Sequence, residues 1–422
     1  MSGALQAVFM NQRSFNSFWI GTLGNIAEAD VSNFVDSAGN SYVIGKTNAS
    51  PGDFQFAKYN SSGDIQWQRS LGGAATNEQG FAICTDSSSN VLVAGGNAPN
   101  AGNMQIAKYN SSGAIQWQRQ LSSANSEAPT SIKTDSSDNI YFVGNSDSFM
   151  IIAKYDTSGT IQWQRSLGSA TFNSNAQSVA VDSSGNVFVC GFTNAASLGN
   201  DLVIAKYNTS GTLQWQRNLG DVSFGNERGQ SCALDSSSNV YMVGKNGNEL
   251  LIVKYNTSGT LQWQREVLTS TNNVRCSIAV SSSGNIFITA VQVVAGYPRA
   301  VLTSYNSSGT LQWQRTLSQS ANSINAFSIG IDASSNIYFC GRIGISGNEN
   351  YLIAKLPSDG SLTGTYSVNG QSLVYATSTI TDQTPSLTDT ASLLTDAASS
   401  LTDSATTLTD AATTLTSTVT TI

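Results

Sequence analysis

The 422 residues contain no histidine. That removes His-based catalytic triads, His metal sites and the commonest general base. No Gly-rich phosphate loop, paired-cysteine motif or nucleophile elbow is present. What remains for hydrolysis is a carboxylate pair of the glycosidase kind, and Glu78, Asp201, Asp221 and Glu227 lie in segments of variable length. Nothing in their spacing selects a pair, so the sequence reads as a protein that is not an enzyme and needs no cofactor. Aromatic rings and guanidinium groups are the side chains most enriched at binding hot spots, and flat rings also suit sugar faces. Phe172, Phe192, Phe224, Arg228, Tyr297, Arg299 and Arg342 sit in variable segments and are the candidate ligand-binding residues, with packing of loops on the scaffold as the other role open to each. The recurring Asp/Asn pair of Asp182-Ser-Ser-Gly-Asn186 offers too few oxygens in five residues for Ca²⁺, and turn stabilisation explains it. No metal site is expected.

Those segments are carried by a repeated hairpin. Its clearest copy is Val203-Ile-Ala-Lys-Tyr-Asn-Thr-Ser-Gly-Thr-Leu-Gln-Trp215-Gln-Arg217. Asn can bond its own backbone and Gly accepts a positive φ, so this is two strands and a tight turn. Trp19, Trp67, Trp117, Trp163, Trp215, Trp263 and Trp313 follow one another at gaps of 48, 50, 46, 52, 48 and 50 residues. Between them a second motif, Asp182-Ser-Ser-Gly-Asn186-Val-Phe-Val-Cys-Gly191, recurs with its Asn at 40, 90, 139, 186, 239, 285 and 336. Two hairpins in roughly 40–50 residues make one four-stranded propeller blade. The first unit has only its last strand, Ser17–Gly24, and the last unit has everything but that strand. The sequence therefore predicts an all-β, seven-bladed β-propeller closed by the N-terminal strand.

These motifs resemble the bacterial seven-bladed β-propeller repeat family, from about Phe18 to Lys355. The resemblance implies the fold and is almost silent on function, because propellers host many functions. The opening Met1–Phe15 is similar to the start of structural proteins of marine tailed phages, cyanophages especially. The Leu-Thr-Asp heptads at the C-terminus resemble phage fibre tails. Both imply a virion fibre protein.

The chain divides into an N-terminal anchor segment (1–16), the propeller (17–356), a linker or collar (357–379) and a heptad-repeat tail (380–422). In the tail, Leu387, Leu394, Leu401, Leu408 and Leu415 are seven apart, and Ala391, Ala398, Ala405 and Ala412 follow a Leu by four. That spacing is a coiled-coil seam, so these nine residues are the expected oligomerisation contacts of a helical stalk, with a homotrimer implied by the fibre resemblance. Thr and Ser form helices poorly, which leaves a disordered or partner-folded tail and a β-structured fibre as alternatives.

Composition limits the partners. Charged residues are 11% and the net charge is −7, which argues against a nucleic-acid backbone. Twelve of the 20 Lys and Arg fall in the hairpins: Lys58, Lys108, Lys154, Lys206, Lys254 and Lys355, with Arg69, Arg119, Arg165, Arg217, Arg265 and Arg315. They are read as exposed strand positions whose stems cover neighbouring aromatics, with cation–π contact to Trp. Five cysteines in strand-like settings read as small buried hydrophobes. No signal peptide or membrane-spanning run is visible, so folding in a reducing cytoplasm and assembly into something larger are expected; the fibre resemblance implies that these are a host cytoplasm and a virion, on tail or capsid.

Strand alternation places the Asp-Ser-Ser-Gly-Asn and Asn-Ser-Ser-Gly turns on one uniform face and the variable loops on the other, with both termini on the uniform face. Loop variation over a fixed scaffold is where specificity resides. Three readings follow: a phage fibre whose head binds a host-surface glycan or protein; a structural decoration or adaptor that contacts other virion proteins; and a cellular adhesion propeller.

Overall fold

In the computed structural model, the described residues are 19–23, 32–46, 53–72, 78–97, 102–122, 127–169, 171–194, 199–220, 227–267, 275–319, 323–345, 348–368, 371–378, 380–383, 388–391, 395–398, 402–404, 409–412 and 417–421. They form seven antiparallel sheets and, among the described residues, no helix.

Each sheet is a blade with strands A to D from the axis outward. Blade 4 is representative, with A Ser174–Val181, B Val187–Thr193, C Asp201–Tyr207 and D Leu213–Gly220. B and C strands are buried on both faces and accordingly read as continuous apolar runs, such as Ile140-Tyr-Phe-Val. D strands are mostly half-buried, as in Leu213–Gly220, where Gln214 is exposed and Asn218 and Leu219 are buried. The core is not a single mass. It is seven apolar clusters, one in each gap between neighbouring blades. In one of them Phe188, Cys190 and Ile204 of blade 4 pack with Met242, Val253 and Tyr255 of blade 5.

The A–B turns explain their own sequence. In blade 4 the Asp182 carboxylate accepts the backbone N–H groups of Ser184 (3.0 Å) and Asn186 (2.8 Å), and its other oxygen accepts the Asn186 amide at 2.8 Å. In blade 3 the Tyr141 hydroxyl also donates to the turn carboxylate of Asp135 at 2.9 Å.

The ring closes through blade 7, where Trp19–Leu23 takes the D position beside Asn348–Leu356, with Trp19 opposite Lys355. The A strand of blade 1 packs against that of blade 7.

The C-terminal region differs from the expected stalk. Residues of the expected linker form a hairpin, Gly364–Val368 and Gln371–Thr377, whose second strand pairs with the D strand of blade 6. Beyond it, the described residues of the heptad segment are strands. Asp382–Gln383 pairs with blade 5, Thr388–Ala391 with blade 4, Thr395–Ala398 with blade 3, Thr402–Ser404 with blade 2, Thr409–Ala412 with blade 1 and Ser417–Thr421 with blade 7. The described strands thus follow one another in reverse blade order and, together with Gln371–Thr377 on blade 6, give every D strand a further neighbour. From Thr388 to Thr395, Thr402 and Thr409 the step is seven residues per blade. The heptad is the blade-to-blade repeat of a belt, and the abundant Thr suits strand better than helix. Of the expected oligomerisation residues, Ala391, Ala398 and Ala412 lie on these strands; Leu387, Leu394, Leu401, Ala405, Leu408 and Leu415 lie outside the described residues.

Candidate functional site at the channel mouth

The A strands line a central cavity of about 500 Å³, within the range of small-molecule sites. A repeated β-bulge aims side chains into it. Pairing of A with B slips by one residue between Gly80 and Ala82, Pro129 and Ser131, Ala176 and Ser178, Gly229 and Ser231, and Ala326 and Ser328. The residue squeezed out in each blade is Phe81, Thr130, Gln177, Gln230 or Phe327, and all five line the cavity. A serine on the A strand, which in blades 3, 4 and 5 follows the bulge, ties neighbouring A strands together. Ser131, Ser178, Ser231 and Ser277 hydroxyls accept the N–H of Val179, Cys232, Ile278 and Ile329 at 3.3–3.4 Å.

At the variable-loop end the mouth is cationic. Arg228 opens the A strand of blade 5 and stands opposite Lys245 at the end of its B strand. Phe192 ends the B strand of blade 4, and the Arg228 guanidinium lies over its ring at 4.6 Å. Arg275 of blade 6 lies 5.0 Å from the ring centre of Phe327, and Arg342 of blade 7 lies over the same ring at 6.0 Å. Burial, and then the charge of Arg228, lowers the Lys245 ammonium from its ordinary range. Burial and the charge of Arg342 do the same to Arg275. Lys133, Arg228, Lys245 and Arg275 line the cavity, and among the described residues no Asp or Glu does. In a chain of net charge −7, this is a local reversal of sign. At the opposite end, Lys133 of blade 3 lies over the Phe34 ring of blade 1 at 5.3 Å, a contact between blades that are not neighbours.

The structure therefore brings together two of the expected binding residues, Phe192 and Arg228, in the cavity lining, and sets a third, Arg342, over the lining residue Phe327. Tyr297 and Arg299 belong to the B–C hairpin of blade 6: Tyr297 is 49% exposed near its tip, and Arg299 donates to the Gln292 amide oxygen at 2.9 Å. Phe172 bridges back to Ser169 in the loop after blade 3, and Phe224 lies outside the described residues. Lys245, Arg275 and Phe327 were not anticipated. Lys245 had a signal: it follows the Gly that ends the B-strand motif, the repeat position that Phe192 and Arg342 also hold. Phe327 had none, since a bulge is invisible in an apolar–polar alternation. Of the carboxylates, Glu78 and Glu227 are fully buried, burial raises Asp201 against a hydrogen bond from Asn218, and Asp221 lies outside the described residues. No cluster of three or more metal-ligating side chains occurs among the described residues.

Elsewhere the hairpin residues have structural roles. Lys58, Lys154 and Lys254 lie over the B-strand rings of Tyr42, Tyr141 and Tyr241, and Lys206 over Phe188, at 4.9–5.4 Å. The expected partner, Trp, is under a cation in the Arg315–Trp313 pair at 5.7 Å. The indoles instead latch blades together, as described below. All five cysteines are buried and unbridged. No helix of the described residues is long and apolar enough to cross a membrane.

The family described as outer membrane protein assembly factor BamB matches residues 56–277, more than half of the chain. The chain belongs to this family. The matched part of this BamB-family chain runs from the C strand of blade 1 to the start of blade 6. Similar solved structures include a protein of unknown function from Dyadobacter fermentans DSM 18053, 7% identical over 68% of this chain and 95% of that one, with a TM-score of 0.44. A Lactobacillus plantarum protein is 9% identical over 85% and 99% of the two chains, with a TM-score of 0.41. None of the curated proteins matches the chain.

Proposed function

We propose that this propeller is a non-enzymatic binding protein of a phage virion, whose loop face engages a host-surface glycan or protein. The observation that carries the reading is the gathering of Phe192, Arg228, Arg275 and Phe327, from four different blades, in one cavity lining, with Arg342 over the Phe327 ring. Aromatic and Arg side chains gathered in a pocket favour recognition. The virion setting rests on the resemblance of both chain ends to phage structural proteins. The test is saturable attachment of labelled protein to intact bacterial cells, compared with a Phe192→Ala/Arg228→Ala/Arg342→Ala variant. Attachment that is lost in the variant at unchanged melting temperature supports the reading; equal attachment sinks it.

A second reading has its own observation. The blade 6 hairpin carries Val293, Val294 and Tyr297 at 39%, 41% and 49% exposure. An apolar tip of this kind suits contact with another virion protein, as a decoration or adaptor protein requires. Tyr297→Ser with Val294→Ser would then abolish incorporation into particles and leave cell attachment intact.

A further inference from the structure

We infer that Cys190 and Cys232, on neighbouring blades, form a peroxide-oxidisable thiol pair that closes to a disulfide and staples blade 4 to blade 5. The staple is independent of what the loop face binds.

Cys190 is on the B strand of blade 4 and Cys232 on the A strand of blade 5. Of the five cysteines these two share an apolar cluster, while Cys84, Cys276 and Cys340 each belong to a different one. Within blade 4, Cys190 stands opposite Ser178. The Ser178 hydroxyl accepts the Cys232 N–H at 3.3 Å and lies 3.7 Å from Cys232 Sγ. That sulfur is also 4.0 Å from the carbonyl of Phe188, two residues before Cys190. The two thiols hydrogen-bond each other. A disulfide needs its Cα atoms within about 7 Å. Neighbouring blades make that approach near the axis, where the Cys232 backbone bonds directly to a blade 4 side chain.

The repeat supplies a comparison. Cys340 holds the place of Cys190 in blade 7, again opposite a serine, Ser328. The next A strand has Asn33 where blade 5 has Cys232, and the Asn33 amide donates to the Tyr338 carbonyl at 3.4 Å. Ile or Val fills that place in blades 2, 3, 4, 6 and 7. A thiol there is particular to blade 5.

Access and reactivity both fall on Cys232. It lines the central cavity and is 5% exposed, whereas Cys190 is fully enclosed. The hydrogen bond from Cys190, joined by Ser178, lowers the Cys232 thiol against burial, and burial raises Cys190. A sulfur with thiolate character, open to small solutes and beside a resolving thiol, is what peroxide oxidation requires. The Cys232 thiolate attacks one oxygen of hydrogen peroxide. An S–O bond forms, the O–O bond breaks, and the departing hydroxide leaves as water with the proton the thiol gave up. Cys190 sulfur then attacks the Cys232 sulfenic acid. The S–S bond forms, the S–O bond breaks, and the hydroxyl leaves as a second water with the Cys190 proton. Two thiols are oxidised and one peroxide is reduced to two waters. Cys276, also on the cavity wall, is engaged elsewhere: its N–H and its Sγ lie 2.9 and 3.6 Å from Gln230 Oε1.

The test treats the reduced full chain with hydrogen peroxide, blocks the remaining thiols with iodoacetamide under denaturing conditions and maps the peptides by mass spectrometry. Free thiols should fall from five to three, with one cross-linked pair joining Cys190 to Cys232. Cys340→Ser should leave the reaction unchanged. Cys190→Ser should stop at a sulfenic acid on Cys232, trapped by dimedone; the wild-type peptide map carries the test if that variant does not fold. The disulfide should raise the melting temperature by a few degrees, and dithiothreitol should return it. Retention of five thiols in excess peroxide, a bond that includes Cys276, sulfinic acid at Cys232 without a bond, or a melting temperature that the bond does not raise would each overturn the inference.

Discussion

The indole N–H of Trp215, on the D strand of blade 4, donates to the backbone carbonyl of Thr257 in blade 5 at 3.0 Å. Two residues on, Arg217 donates through Nε to the carbonyl of Gly259 at 2.8 Å. The same pair of bonds links Trp163 and Arg165 to Thr209 and Gly211, Trp263 and Arg265 to Ser307 and Gly309, and Trp313 and Arg315 to Ser358 and Gly360. The same two bonds run from Trp117 and Arg119 to Thr157 and Gly159, so in blades 2 to 6 the Gln-Trp-Gln-Arg repeat is a clasp to the C–D turn of the next blade.

The clasp fixes why the turn ends in Gly. Gly259 has φ +76°, and a Cβ there would lie 2.7 Å from the Trp215 ring. Gly259→Ala must pay for both the left-handed backbone and the collision, and should cost about 2–4 kcal/mol. Trp215→Phe keeps a ring and loses the donor, and should cost about 1–2 kcal/mol, the carbonyl of Thr257 turning to solvent. Urea unfolding of the two variants measures both; Gly259→Ala must be the worse of the two.

The A–B turns offer a gain. Where blade 4 has Gly185 at φ +77°, blades 2, 5 and 7 hold Ser89, Ser238 and Ser335 at φ 59°, 57° and 62°. A left-handed conformation costs a side chain about 1–2 kcal/mol, and the extra freedom glycine brings to the unfolded chain offsets about half of that. Ser89→Gly, Ser238→Gly and Ser335→Gly combined should raise the urea midpoint, by about 1.5–3 kcal/mol in stability. A fall in midpoint would contradict the strain.

Acid should loosen the same turns. Burial by itself raises the Asp135 and Asp235 carboxyls, but hydrogen bonds from Asn139 and Tyr141, and from Asn239 and Tyr241, outweigh it and hold both below the ordinary value of 3.8. Asp86 is likewise held low, by Asn90 and by Lys108 at 2.9 Å. A carboxyl depressed on folding contributes stability that is complete above its unfolded pKa and lost as pH falls through the folded one. The melting temperature should therefore be insensitive to these groups at neutral pH and decline below about pH 4. Asp135→Asn should be the less stable protein at pH 7, by about 1–2 kcal/mol, and the gap should close toward pH 3. A gap independent of pH would assign the cost to something other than the carboxylate.

The blades were legible in the sequence because the turns write their own signature: an Asp that accepts two N–H groups (Ser281 stands there in blade 6), an Asn that answers it, and a Gly, a Ser or, in blade 3, Asp138 at positive φ. The clasp residues were visible as a repeat but not as a clasp, since Trp215 and Thr257 are 42 residues apart and meet only in the ring. The heptads admit two readings for a definite reason. A seven-residue period fits both a helical seam and a step of one blade along a rim, and periodicity alone cannot separate them; the Thr content favours the second. At the site, Phe192 and Arg342 stood out as loop residues, whereas Phe327 reaches the cavity through a bulge that no pattern announces.

The belt predicts the outcome of truncation. A chain ending at Thr377 keeps the blade 6 hairpin and loses the strands paired to blades 5, 4, 3, 2, 1 and 7. Four-residue ladders gain little beyond the ordering they require, so the melting temperature should fall by only a few degrees. The larger effect is on association. Six D strands would present open edges, which template pairing between molecules. Light scattering should show a mass that rises with concentration in the truncated chain. A coiled-coil stalk gives the opposite result, an oligomer that falls to monomer on truncation.

The Trp19–Leu23 strand is the place where a local change should have the widest effect. It is flanked on both sides, by Tyr351–Lys355 of blade 7 and by Ser417–Thr421 of the belt. Ile20 stands opposite Ala354 on one side and Thr420 on the other, so its N–H serves one of two ladders whichever way it points. Ile20→Pro removes that donor in the interior of a sheet, a change that costs about 3 kcal/mol. Deletion of residues 1–24 removes the whole D strand of the closing blade and leaves one side of Asn348–Leu356 unpaired. The deletion should therefore lower the melting temperature more than Ile20→Pro, and both should exceed truncation at Thr377, because closure joins the first and last blades while the belt only covers what is already closed. An unchanged melting temperature on deletion would contradict closure by this strand, and equal losses from deletion and truncation would make the belt, not the Trp19 strand, the element that holds the ring.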